Sequence, residues 1–128
     1  MLRTEMPHEG VFTRLGSSKI HGVGVFAIKD IKEGTYIFLK NNEEMTWVEE
    51  KKIEKLPKET YKLYKDFCVF KGGMVGCPKN FNLLTVEWYL NNSKTPNCGC
   101  DKNYNFFALR DIKRGEELTI DYKNYSDK

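Results

Sequence analysis

The chain is poor in the residues that metal and covalent chemistry draw on. Its 128 residues include two histidines and four cysteines. His8 and His21 are far apart and neither sits at a metal-ligand spacing, so each reads as a surface or packing residue. Cys68, Cys77, Cys98 and Cys100 are enough for two disulfides or one zinc site, but they lack the paired two-residue gaps of zinc ribbons. Reduced structural thiols, and no metal, are the expectation. No uninterrupted apolar run is long enough to span a bilayer, and Met1 to Gly10 has no apolar stretch of signal-peptide length. This predicts a soluble intracellular protein, cytoplasmic or nuclear, without a membrane partner. Blocks of like charge are missing too: 21 basic and 18 acidic residues are spread along the chain, for a net charge of +3. That bias is too mild to argue a nucleic-acid partner. Gly22 and Gly24 lack the third glycine and the following helix of a dinucleotide fingerprint.

What is present suits one folded domain over residues 1–128, with 40% hydrophobic and 13% aromatic residues. Short β-prone runs are separated by turn residues: Val11 to Leu15, then Gly16-Ser17-Ser18, then the apolar run after Gly22, and Thr35 to Leu39. Asp30 to Gly34 and Asp111 to Gly115 share the order Asp, Ile, Lys, charged residue, Gly, which reads as two equivalent turns. Glu43 to Leu56 has the Glu and Lys content of an exposed helix, and Lys58 to Asp66 continues helically after Pro57. Together they form a helical insert at about 43–67. Phe67 to Phe70 reads as a strand, Thr85 to Leu90 as one helical turn, and Asn97 to Cys100 with Asn105 to Leu109 as a hairpin. Residues 123–128 form a short polar tail. The sum is a mainly β domain.

Taken singly, no motif is strong. Glu116 and Glu117 could pair as acid and base, but neighbouring strand residues point to opposite faces. Four segments taken in order are far more specific. Lys19-Ile20-His21-Gly22-Val23-Gly24-Val25-Phe26-Ala27 comes first, then Trp88-Tyr89-Leu90-Asn91-Asn92-Ser93-Lys94-Thr95-Pro96-Asn97. Ala108-Leu109-Arg110-Asp111-Ile112 and Gly115-Glu116-Glu117-Leu118-Thr119-Ile120-Asp121-Tyr122 follow. This series resembles the SET-domain protein lysine methyltransferases over about Val11 to Tyr122.

The resemblance implies a SET-type fold of short strands and small sheets, in which the C-terminal segment passes under an earlier loop in a pseudo-knot. It implies S-adenosylmethionine on one face, a lysine of a protein or peptide substrate on the other, and a narrow channel between them. Lys19, His21, Gly22, Val23 and Gly24 would lie at the cofactor, with the side-chain-free glycines letting the backbone approach it. Asn91 and Asn92 match the family's Asn-His pair, and Tyr122 matches the tyrosine beside the transferred methyl. Ile120, Tyr89, Phe106, Phe107 and Tyr36 would wall the lysine channel. Ile120 stands where the family often carries Phe or Tyr, which leaves room for di- or trimethylation. The family's zinc-binding cysteine cluster after the last motif is not found here, so Tyr125 is the expected cover for the adenine side. The substrate can be a histone or another protein, and a homodimer can complete the groove. Two other classes fit parts of the sequence: a SET-fold interaction module with weak or no catalysis, and a small basic nucleic-acid binder.

Overall fold

Short strands and tight turns make up most of the computed structural model, which describes residues 6–38 and 44–127. In chain order the elements are β1 (Thr13–Ser17), β2 (Val23–Ala27), β3 (Thr46–Glu49), α1 (Glu50–Ile53), α2 (Lys58–Phe67), β4 (Val69–Lys71), β5 (Met74–Cys77), β6 (Asn91–Asn92), β7 (Cys98–Cys100), β8 (Phe106–Ala108) and β9 (Glu117–Ile120). They form three sheets, ordered β1-β2-β9-β6, β3-β5-β4 and β7-β8. The mainly β class is as the sequence implies. Among the described residues, no helix is long and apolar enough to cross a membrane.

β9 governs the architecture. It pairs antiparallel with β2 on one side and parallel with β6 on the other, so the last strand fills a slot between two much earlier elements. Flanked on both sides, its Leu118, Thr119 and Ile120 are all buried. Leu118 joins Val25, Ile31 and Ile112 in the main core, each at most 1% exposed. Burying such a side chain stabilises the fold by roughly 1.5–3 kcal/mol.

The two equivalent turns are each other's partners. Ile31 and Ile112 form a reciprocal backbone bridge at 2.8 and 2.7 Å. The Asp30 carboxylate accepts the N–H of Arg114, and the Asp111 carboxylate accepts that of Glu33, both at 2.9 Å. Gly34 and Gly115 adopt positive φ to close the turns. They then donate to Ala108 and Ala27, the residues that precede the opposite turns. The shared pattern encodes a two-fold clasp beside the core.

The insert departs from the sequence reading. Residues 46–49 form β3 rather than a helix, and α1 is a single turn. Trp47 and Val48 find partners in Gly76 and Val75 of β5. Gly76 makes room for them, since a Cβ there would meet Met45 Sδ and Trp47 Cη2 at 3.0 Å. This non-local pairing overrides the helical propensity of a Glu/Lys-rich segment. α2 forms as expected and extends through Phe67, with none of its residues buried. The strand after it begins at Val69. Of the expected strand Thr35 to Leu39, the described part makes one bridge, from Tyr36 to Phe107, and Leu39 and Glu43 lie outside the described residues.

Residues 122–127 cross from β9 to the insert sheet. Ser126 Oγ accepts the Phe70 N–H at 3.0 Å, Asp127 N donates to Phe70 O at 2.6 Å, and Gly72 N donates to the Asp127 carboxylate at 3.0 Å. The polar tail therefore ties the two halves of the molecule together.

Candidate active site

Two cavities meet at the C-terminal end of β9. One, of about 720 Å³, is lined by residues 20–23, by 88–92 and by the C-terminal end of α2. Its wall is set by Asn91, which is 8% exposed. Asn91 Nδ2 lies 3.1 Å from His21 O, 3.2 Å from Val23 O, 3.1 Å from Ser18 Oγ and 2.9 Å from Glu117 Oε2. Its two amide hydrogens are shared among these four acceptors, which fixes which end of the amide faces the loop. The loop between β1 and β2 closes through the Ser18 N–H and Gly22 O at 2.8 Å, with Gly22 at φ +44°. Nothing lies within 4 Å of where a Gly22 side chain would begin, so the backbone there is open to the cavity.

The other cavity, of about 630 Å³, has aromatic walls. Phe106 packs edge-on against Phe38 at 6.3 Å and Tyr125 at 6.2 Å, and Tyr125 in turn meets Tyr122 at 6.3 Å and Tyr104 at 6.2 Å. Trp47, from β3, continues the row at 6.1 Å from Tyr104. Tyr104 is the one non-glycine residue with positive φ among the described residues, at 63°. Asp101 holds that turn by accepting the N–H groups of Asn103 and Asn105 at 2.9 and 3.0 Å. Ile120 lines this cavity, as do Glu44, Asp66, Glu87 and Lys102.

Tyr122 lines both cavities. Its hydroxyl donates to Leu90 O at 2.6 Å and its N–H to Asn92 Oδ1 at 2.8 Å, so the ring is held at both ends by the asparagine-rich loop. Burial, and secondarily the Asp66 carboxylate, push the phenol above its ordinary value and keep it protonated. The same loop grips β9 twice more. Asn97, 3% exposed, donates to Glu117 O at 2.9 Å and accepts the Thr119 N–H at 2.8 Å, while the Ser93 N–H donates to Ile120 O at 2.9 Å.

The family model for the SET domain matches residues 22–123, which supply most of the lining of both cavities. The chain belongs to the SET domain family. It is 33% identical over 120 residues to a Drosophila melanogaster protein named histone-lysine N-methyltransferase trr, covering 85% of this chain and 5% of that protein. It is 32% identical over 104 residues to histone-lysine N-methyltransferase SET5 of Scheffersomyces stipitis, covering 74% of this chain and 22% of the relative. The SET domain here thus spans a small part of either relative's length. In fold it is similar to a crystal structure of a Plasmodium falciparum protein assigned as a histone methyltransferase. The TM-score is 0.61 at 20% identity, with 88% of this chain and 93% of that one covered.

Within this SET domain, His21, Gly22, Val23, Asn91, Asn92 and Tyr89 line the first, or loop, cavity, Phe106 and Ile120 the aromatic one, and Tyr122 both. Tyr89 thus shares a cavity with the expected cofactor residues rather than with Phe106 and Ile120. Lys19 is exposed and lines neither cavity. Phe107 and Tyr36 line neither as well, because Phe107 folds over Gly99 and its ring meets Tyr36 at 5.6 Å on another face. Gly24 is buried beneath Glu117 and Ser18 rather than opening onto a cavity. Tyr125 sits against Tyr122 and Phe106 in the aromatic wall and does not line the loop cavity. Sequence reasoning missed Phe38, Trp47 and Tyr104. Trp47 was hidden by the wrong period assigned to its segment, and Tyr104 depends on a left-handed turn for which the Asp101 to Asn105 polar cluster is the one local signal. The thiols of Cys98 and Cys100 are pushed up to about 12 by burial, as suits packing residues. Among the described residues, no three histidines, cysteines or carboxylates come together as a metal site.

Proposed function

We propose that this SET domain methylates the side-chain amine of a lysine in a protein substrate, using S-adenosylmethionine. The observation that carries the reading is the meeting, at Tyr122, of a cavity lined by the 20–23 loop and the two asparagines with one walled by a row of aromatic rings. The loop cavity fits the cofactor: the backbone at Gly22 is open, Asn91 fixes the strand beside it, and Trp88 supplies an apolar wall. When bound, S-adenosylmethionine supplies a methyl group made electrophilic by its sulfonium.

The chain's own residues would do the rest. The aromatic cavity excludes water and tolerates a passing cation, which suits a lysine entering as ammonium and reacting as amine. Tyr122, fixed by Leu90 and Asn92, orients the amine for in-line attack and presents a protonated hydroxyl beside the reacting atoms. Asn92 occupies the position of the family's histidine and has a side-chain task of its own, accepting the Tyr122 N–H. Ile120, with its small apolar side chain, leaves space for a methylated amine, so products up to trimethyllysine are expected. The relatives' names make a histone one candidate among protein substrates, and a nuclear or cytoplasmic site of action follows from the same reading.

The test is methylation of a lysine peptide array by the purified chain with labelled S-adenosylmethionine, alongside cofactor binding followed by thermal shift. Labelled lysine peptides and a stabilising shift support the reading. Absence of any shift at saturating cofactor points to the fold-only interaction module. Mass spectra that never exceed one added methyl on a good substrate would remove the role given to Ile120.

A further inference from the structure

One half-buried carboxylate, Glu117, lines neither cavity yet stands behind the wall of the loop cavity. Ser18 Oγ lies 2.8 and 2.9 Å from its two oxygens, so its single hydroxyl hydrogen is shared between them. Asn91 Nδ2 adds a contact at 2.9 Å. The same Ser18 oxygen accepts the N–H groups of Ile20 and His21 at 2.9 and 3.2 Å, and Asn91 reaches the His21 and Val23 carbonyls. The backbone of residues 20–23 is thus held on its N–H side through Ser18 and on its carbonyl side through Asn91, with both holders seated on one carboxylate.

Gly24 supplies independent support. Its φ is not in the left-handed region, so conformation does not demand glycine there. Space does, because a Cβ would collide with Glu117 Oε2 and lie 2.9 Å from its Cδ and 3.1 Å from Ser18 Cβ. The glycine that looks like an opening for a ligand is the seat of a carboxylate. Glu117 also begins the strand that leads to Tyr122, so anchor and reactive phenol share one short element.

We propose that Glu117 is a positioning residue for the cofactor: through Ser18 and Asn91 it sets the shape of the 20–23 backbone that walls the loop cavity. This inference rests on the reading of that cavity as the S-adenosylmethionine site. Hydrogen bonds to a charged acceptor are the stronger kind, so their loss is expected to weaken cofactor binding about tenfold or more, with peptide KM within about twofold.

The experiment is calorimetric titration of S-adenosylmethionine into the wild-type chain, Glu117→Ala, Gly24→Ala and the double variant, with folding checked by circular dichroism. Glu117→Ala and Gly24→Ala should each lose affinity, and Gly24→Ala should cost clearly less in the Glu117→Ala background than in wild type, because its hardest collision is gone and the tight contact with Ser18 Cβ at 3.1 Å is what remains. If Glu117→Ala does not fold, Ser18→Ala replaces it: about a fivefold or greater loss supports the proposal and wild-type affinity overturns it. Folded Glu117→Ala binding as tightly as wild type, or additive losses in the double variant, would also overturn it. Wild-type protein that binds no S-adenosylmethionine fails the site assignment itself, a different outcome from wild-type binding that Glu117→Ala leaves intact.

Discussion

The two cavities that meet at Tyr122 are built in opposite ways. The loop cavity has a cradle of backbone held by Asn91, Ser18 and Glu117, residues brought together by β2, β6 and β9. The aromatic one is walled mostly by side chains from the insert, the β7-β8 hairpin and the tail, elements not paired to β9 in a sheet, with Ile120 as the contribution of β9 itself. Backbone geometry tolerates little change in the residues that set it, whereas an aromatic wall keeps its character through many exchanges of ring. On this account the first half fixes the methyl donor and the second half sets which substrate is accepted.

The largest expected effect strikes both halves. Leu118→Ala removes a fully buried side chain from β9 and should cost about 2–5 kcal/mol of stability, read as a lower midpoint in urea, with both cavities lost together. Asn91→Ala is more selective. It removes the donor to the His21 and Val23 carbonyls, and a tenfold to roughly hundredfold loss of cofactor affinity is expected with peptide KM little changed. Trp47→Ala should give the opposite split: peptide KM higher by about tenfold, cofactor affinity unchanged in calorimetry. Trp47 is 41% exposed, so little stability goes with it. If both variants moved the same constant, the division between the halves would collapse.

The division also explains what could be read from the sequence. The loop cavity was legible as a set of positions: Gly22, Asn91, Asn92 and Tyr122, singled out by the four segments, line it together. Gly24 was legible as a position but not in its purpose, since the carboxylate that fills its space comes from residue 117. The aromatic wall was mostly illegible. Its members arrive through non-local pairing, as with Trp47 on β5, or through one strained turn, as with Tyr104, and local periodicity reports neither. Phe107 and Tyr36 show the converse error, in which aromatic type suggested a channel while strand alternation turned Phe107 away from its neighbour Phe106.

The smallest expected effect lies outside both halves and serves as a control. Glu116 is held below the ordinary carboxylate range chiefly by Arg110, at 2.9 Å, with the Lys113 N–H contributing. A depressed pKa gives stability that is present above the unfolded value, near 4.5, and that is lost as pH falls through the lower folded value. With both side chains partly exposed, Glu116→Gln should change stability by no more than about 0.5 kcal/mol at pH 7. Its difference from wild type should shrink further under acid, and both cavities should keep their binding constants.

Tyr122 is where the halves join, and it offers the most direct test. Methyl transfer from labelled S-adenosylmethionine to a lysine peptide should fall about hundredfold or more in Tyr122→Phe, with cofactor affinity within a few-fold of wild type, because the lost hydroxyl orients the amine rather than binding the donor. Equal transfer rates in the two proteins would contradict the account.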